Sequence, residues 1–295
     1  MKNTVFKGIA TAMVTPMTPT GVDYDTLAKL IEFQIENGVH ALVAVGTTGE
    51  SATLHPEERR DVIRFTADRV NGRVPVIAGT GTNETWRVLE YTRQACEDGA
   101  DAVLVVTPYY NKATQNGLFA HYSAVADAST KPVILYNVPS RTGCNLAPST
   151  VERLAEHPNI AGLKEASGNM AQVVEIFARC GDKLDIYSGE DGITVPIMAM
   201  GGTGCISVVS NVVPKLTAQM ADRFFAGDVA GAAALQCKLL PLIQALFSQV
   251  NPIPAKAAVA AMGFGEEYLR MPLTLMEQPY RDTLLQEMRK LGVIQ

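Results

Sequence analysis

The chain has 295 residues, of which 47% are hydrophobic and 19% charged, with a formal net charge of −5. That is enough apolar material for a large core in one domain or two, and the mildly acidic balance, without long blocks of like charge, argues against nucleic acid or an anionic bilayer as partner. Cys96, Cys144, Cys180, Cys205 and Cys237 are scattered, odd in number and without a C-x-x-C pair, so they read as reduced thiols, and with no apolar signal core at the start and no run of about 18 apolar residues a soluble cytoplasmic protein is expected.

Short apolar, β-branched runs alternate with segments of helical periodicity along most of the chain. The first strand is predicted over 8–14, followed by a helix over 25–37 that Gly38 ends as its C′ residue, and by a strand over 41–45. Pro56, backed by Glu57 and Glu58, opens a helix reaching Val70, with proline and acids where the first turn favours them. A strand over 74–78 leads to a helix capped by Asn83 or Thr85 that stops before Gly99. Strands follow over 102–106, 133–136 and 160–164, with Ser149 capping the helix between the last two. Strands over 184–188 and 204–208 complete the set, and Pro214 opens the next helix. After about residue 226 the alternation stops, and 229–247, 254–262 and 279–291 all read as helices. Strand ends fall roughly 20 to 33 residues apart, and the runs are apolar on both faces, as buried parallel strands are. The expected fold is therefore α/β: a (β/α)8 TIM barrel over 1–226 with a C-terminal helical domain over 227–295. A doubly wound open sheet calls for a glycine-rich turn after its first strand, and residues 10–19 contain no glycine.

In such a barrel the chemistry belongs where strands run into their loops. Lys164 closes an apolar strand, a costly place for an ammonium; desolvation favours the neutral amine, which condenses with a ketone. A structural lysine paired with Glu165 or another carboxylate fits that position equally well. Tyr136 ends the preceding strand, where its hydroxyl can pass protons during imine and enamine formation or simply pack. Gly46-Thr47-Thr48-Gly49 supplies N–H groups and two hydroxyls suited to a carboxylate, or else a tight turn. Arg141, between Pro139 and Gly143, offers a rigid fork for a second carboxylate, or is a solvated charge.

Several motifs together carry a resemblance over nearly the whole length. They are Gly8-Ile9-Ala10-Thr11-Ala12, Gly46-Thr47-Thr48-Gly49-Glu50-Ser51, Tyr136-Asn137-Val138-Pro139 with Arg141-Thr142-Gly143, Gly162-Leu163-Lys164-Glu165-Ala166, and Asn251-Pro252-Ile253-Pro254-Ala255-Lys256. The chain resembles the dihydrodipicolinate synthase (4-hydroxy-tetrahydrodipicolinate synthase) family, within the N-acetylneuraminate lyase superfamily of class I aldolases. The resemblance implies a lyase condensing pyruvate with L-aspartate 4-semialdehyde in the diaminopimelate route to lysine. It implies that Lys164 forms the imine with pyruvate and that Tyr136 moves protons, linked to Thr48 and to Tyr110 reaching in from a neighbouring subunit. Thr47 and Thr48 would hold the pyruvyl carboxylate, Arg141 the semialdehyde's, and the backbone near Gly189 and Ile206 would line the site. A borrowed tyrosine requires an oligomer, and the family is typically a homotetramer, a dimer of dimers. No metal or organic cofactor is implied, in keeping with His40, His55, His121 and His157, which lack ligand spacing and read as surface or turn residues.

Sialic-acid lyase and 2-keto-3-deoxy-sugar-acid aldolases share the lysine and tyrosine, so other pyruvate-dependent aldolases are the alternative. Arg141 discriminates, since the sugar-acid relatives generally lack it. A non-catalytic barrel that only senses a keto acid through Lys164 is the reading of another class. Lysine-sensitive relatives bind that end product at a dimer-interface pocket, onto which the resemblance maps Ser51, Ala52, Asn83 and Tyr109. Arg87 stands where a glutamate would meet the ligand's ammonium, and Pro56 and Arg59 where some relatives have histidines. Like charges about 4 Å apart repel by roughly 1 to 4 kcal/mol, so weak or absent inhibition by lysine is expected.

Overall fold

The computed structural model describes residues 2–295. Among the described residues there are ten strands: β1 Gly8–Ala12, β2 Met17–Thr18, β3 Gly21–Val22, β4 Ala41–Ala44, β5 Val76–Gly79, β6 Ala102–Val106, β7 Val133–Asn137, β8 Ile160–Glu165, β9 Asp185–Ser188 and β10 Gly204–Ser207. Eight of them close into a parallel barrel in the order β1-β10-β9-β8-β7-β6-β5-β4, which settles the choice against an open sheet. Each predicted run holds one barrel strand. β2 and β3 form a two-residue antiparallel pair, Met17 opposite Val22, too short to leave a periodic trace in the sequence.

The helices are α1 Tyr24–Glu36, α2 Pro56–Val70, α3 Thr85–Glu97, α4 Gln115–Ala128, α5 Pro139–Thr142, α6 Pro148–Leu154, α7 Met170–Cys180, α8 Thr194–Ala199, α9 Pro214–Phe225, α10 Val229–Leu246, α11 Ile253–Ala261 and α12 Gln278–Lys290. Those opened by Pro56 and Pro214 start where the sequence places them, because a missing N–H costs nothing in a first turn. Two caps fall elsewhere. Glu84, not Asn83 or Thr85, precedes α3, and the Thr85 hydroxyl meets His121 Nδ1 at 2.9 Å instead. Ala147 precedes α6, so Ser149 lies inside the first turn behind Pro148.

Period-two alternation divides the strand residues between two layers. Ala10, Ala12, Ala41, Val43, Ile77, Leu104, Ile134, Tyr136, Tyr187 and Ile206 fill the barrel, whereas Leu42, Val76, Val103, Val105, Leu135, Leu163 and Ile186 face the helices. α10 is 18 residues long with mean hydropathy 1.5, long and apolar enough to cross a bilayer, although Gln236, Lys238 and Gln244 keep it from being an unbroken apolar run. Its Leu239, Leu242, Ile243 and Leu246 join the layer between barrel and helices.

Close strand contact demands glycine at the end of β5. A Cβ on Gly79 would stand 2.2 Å from the Val45 carbonyl oxygen. Gly79→Ala is expected to destabilise the fold by about 3 kcal/mol, seen as a lower denaturant midpoint with an unchanged slope. A midpoint equal to that of the parent chain would mean that these strand ends can part freely.

Candidate active site

β7 and β8 pair with Tyr136 opposite Lys164, so both side chains point into the same mouth. Lys164 is only 6% exposed, and its Nζ lies over the Tyr136 ring, 4.1 Å from the centroid. Among the described residues no carboxylate lies within ion-pair distance of that amine. Glu165, one residue on, faces the opposite way: its carboxylate accepts from Asn137 Nδ2 at 3.0 Å and from the Ser167 amide at 2.7 Å. A Lys164–Glu165 pair is therefore absent. Gly189, after β9, gives the lysine stem room, since a Cβ there would lie 3.1 Å from Lys164 Cε and 2.7 Å from Ala166 Cβ. Behind it, the buried Asp191 carboxylate accepts from the Val208 and Val209 amides at 2.8 and 3.1 Å. Burial pushes this carboxyl above its ordinary range, against those hydrogen bonds and the Lys164 charge.

A cavity of 560 Å³ opens above the amine, lined by Thr47, Thr48, Tyr136, Arg141, Lys164 and Gly189 from the barrel strands and their loops and by Ile243, Gln244, Phe247 and Asn251 from the C-terminal segment. Ile206 does not reach it. That residue is buried in the barrel interior, and Val208, further along the same chain direction, lines the cavity. In the turn after β4, the amides of Gly49, Glu50 and Ser51 are spent on the carbonyls of Gly46, Thr47 and Gly46, whereas those of Thr47 and Thr48 have no backbone acceptor among the described residues. Thr48 Oγ1 accepts from Asn251 Nδ2 at 2.9 Å, and the Asn251 carbonyl accepts from Arg141 Nη2 at 3.2 Å. Arg141 rides on the single turn of α5, opened by Pro139 and ended by Gly143 at φ +65.

Tyr110 is not brought to this cavity. It is 91% exposed, with a left-handed φ of 71. A second cavity of 510 Å³ shares Thr47, Arg141 and Asn251 with the first and is lined by Ser51, Ala52, Arg87 and Tyr109; Asn83 lies outside the lining, its carbonyl accepting from Asn111 Nδ2 at 2.9 Å. Arg59 is buried in its wall, donating to the Ser51 and Gly79 carbonyls at 2.8 and 2.9 Å. Arg87 pairs with Glu90 at 2.8 Å and approaches Glu84 at 3.9 Å.

His40 and His157 pair with Asp222 and Asp127, and His55 caps α2. His121 departs from the surface reading: it sits between Leu118 and Tyr122 on the inner face of α4, and burial pushes its pKa down to about 4. No three His, Cys, Asp or Glu side chains gather as a metal set among the described residues.

The sequence reading gave no role to Glu50, Asn251 or Lys256. Glu50 is buried at φ +55 and forms an ion pair with Lys256, itself 3% exposed, while its second oxygen accepts from the Arg270 amide at 3.1 Å. Lys256 also donates to the Tyr268 carbonyl at 2.7 Å; burial pulls its pKa down against the attraction of Glu50. A lysine inside the apolar stretch of α11 signals a buried partner, but spacing cannot name one so distant in the chain. Glu50→Gln or Lys256→Met alone leaves one buried charge uncompensated and is expected to cost about 3 to 5 kcal/mol, with the double variant recovering much of it. Single losses that simply add in urea unfolding would mean the two groups do not act as a pair.

The sequence profile of the dihydrodipicolinate synthetase family matches residues 5–291. The 4-hydroxy-tetrahydrodipicolinate synthase of Geobacter sulfurreducens is 50% identical over 290 residues, covering 98% of this chain and 100% of that one. Among solved structures, dihydrodipicolinate synthase from Aquifex aeolicus superposes with TM-score 0.96 at 42% identity, covering 98% of this chain and 99% of that one. The chloride-inhibited dihydrodipicolinate synthase from Acinetobacter baumannii, complexed with pyruvate, gives TM-score 0.96 at 43% identity, covering 99% of this chain and 100% of that one. With a matching profile, full-length relatives and the same barrel, the chain belongs to the dihydrodipicolinate synthetase family.

Proposed function

We propose that this chain is a 4-hydroxy-tetrahydrodipicolinate synthase, condensing pyruvate with L-aspartate 4-semialdehyde through a Schiff base on Lys164. The observation that carries this reading is the buried Lys164 amine, held over Tyr136 at the floor of the cavity with no carboxylate to neutralise it. The pyruvate bound to the Acinetobacter relative and the names of the curated relatives support the substrate and the branch of the superfamily.

In this reading the Lys164 nitrogen attacks the keto carbon of pyruvate, and the carbinolamine loses its oxygen as water to give the iminium. The Tyr136 phenol, beside that nitrogen, supplies the proton that leaves with the water. Loss of a methyl proton then gives an enamine, whose carbon attacks the aldehyde and forms the new C–C bond. The semialdehyde's amine finally displaces Lys164 from the imine carbon, closing the ring and restoring the free lysine. The unspent Thr47 and Thr48 amides suit the pyruvyl carboxylate. Arg141, which pairs with no carboxylate among the described residues, suits the semialdehyde's. Gly189 leaves room at the lysine stem, and Val208 rather than Ile206 provides the wall at that strand end.

Assembly belongs to the same proposal. The outward Tyr110 phenol fits the relay of a neighbouring subunit in a homotetramer built as a dimer of dimers, and the five free cysteines fit a reducing cytoplasm. Residues 1–226 act as the catalytic barrel and 227–295 as a helical domain that walls the cavity. In the second cavity, Glu50 is taken by Lys256 and Glu84 lies against Arg87, so no free carboxylate awaits an ammonium.

Borohydride added with pyruvate is expected to trap a pyruvyl adduct on Lys164 by mass spectrometry, and a coupled assay is expected to consume aspartate semialdehyde but not N-acetylmannosamine. Arg141→Ala should lower kcat/KM for the semialdehyde roughly 100-fold, about 3 kcal/mol, with trapping nearly intact. An equal fall in trapping, or adduct formation without turnover of the semialdehyde, sinks the assignment. Steady-state kinetics should also show little inhibition by lysine; a sub-millimolar inhibition constant would refute the role given to Arg87.

A further inference from the structure

Asn251 touches two of the groups assigned to substrate, yet the chemistry above does not use it. It lies between α10 and α11, only 5% exposed, and lines both cavities. Its side chain reaches Thr48 and its main-chain carbonyl holds Arg141. Further along the same segment Lys256 grips Glu50, so the segment is fixed to the Thr47–Thr48 turn at two points.

We infer that Asn251 is a positioning residue that sets the direction of the Thr48 hydroxyl and turns its proton toward the pyruvyl carboxylate. The inference rests on the reading of the cavity given above and adds a residue to it.

A threonine hydroxyl has one hydrogen and two acceptor positions, whereas an amide nitrogen has only hydrogens to give. With Asn251 Nδ2 donating to Oγ1 at 2.9 Å, the Thr48 hydrogen cannot point at Asn251. A carboxylate in the cavity has only lone pairs, so an outward hydrogen on Thr48 is what it requires. The reversed amide would take that hydrogen on Oδ1 and turn an oxygen lone pair on the substrate. Among the described residues Asn251 Oδ1 is buried without a hydrogen-bond partner, a desolvation cost that stability alone gives no reason to keep. The Arg141 contact uses the main chain, which a side-chain substitution leaves in place, and this separates the two substrates.

The test is steady-state kinetics for both substrates, with borohydride trapping at Lys164, on N251A, N251D, T48V and the N251A/T48V double variant. N251A should raise KM for pyruvate about tenfold, with kcat and the semialdehyde KM changed less than about threefold and the adduct still forming at saturating pyruvate. N251D, isosteric but able only to accept, captures the Thr48 hydrogen and should raise the pyruvate KM further; it carries the test if N251A fails to fold. In the T48V background N251A should add less than about twofold. An effect of full size in that background, an equal loss for both substrates, or an unchanged pyruvate KM overturns the role of Asn251. If the parent chain traps no pyruvate, the reading of the cavity falls as well; if it traps pyruvate and N251A behaves as the parent, only the role of Asn251 is lost.

Discussion

A buried amine without a counter-charge is the constraint around which this molecule is arranged. Two lysines are buried almost equally, Lys164 at 6% and Lys256 at 3% exposure, and their surroundings differ in kind. Lys256 meets the Glu50 carboxylate and the Tyr268 carbonyl, the usual resolution of a charge removed from water. Lys164 meets the face of an aromatic ring. Both nearby carboxylates are kept from it, Glu165 by the alternation of β8 and its own hydrogen bonds, Asp191 by the Val208 and Val209 amides that hold it. The Lys164 nitrogen is thus left outside any ion pair and open to the cavity, whereas Lys256 is enclosed by its partners.

The paired lysine serves the unpaired one. Val45 and Glu50 both adopt left-handed backbone, an unfavourable conformation for residues with a Cβ, and surrounding contacts must hold them there. Glu50 is gripped by Lys256 and the Arg270 amide, while Arg59 clasps the Ser51 carbonyl and ties it to Gly79. Between the two left-handed residues the turn presents two amides with no backbone partner among the described residues, those of Thr47 and Thr48. A relaxed turn would satisfy its own N–H groups. Strain here leaves hydrogen-bonding capacity over for a ligand.

The barrel was legible because strands buried on both faces are continuous apolar runs, and helices beginning at proline announce their first turn. Caps were less so: Thr85 and Ser149 have the right chemistry, but His121 and Pro148 decide where each one lies. The Lys164 and Tyr136 pair was readable because both close adjacent strands, and register then brings them together. The Ile206 side chain turns into the barrel and Val208, two residues on, reaches the cavity, Asn83 stands beside the lining of the second cavity, and His121 was read as a surface residue although helical periodicity turns it inward. Glu50, Asn251 and Lys256 escaped because their partners lie across the fold, where no local periodicity reaches.

The C-terminal helices explain an apparent conflict in α10. A helix of mean hydropathy 1.5 should be hidden on all sides in a globular protein, yet Leu240 and Phe247 are partly exposed. Both line the cavity above Lys164, alongside Ile243 and Gln244. Leu239, Leu242 and Leu246 on the other side of the helix pack against the barrel's outer layer. One apolar face therefore holds the helix down while another lines the space above Lys164. The barrel strands bring Lys164 and Tyr136 to the floor of the cavity, and this helix builds part of its wall.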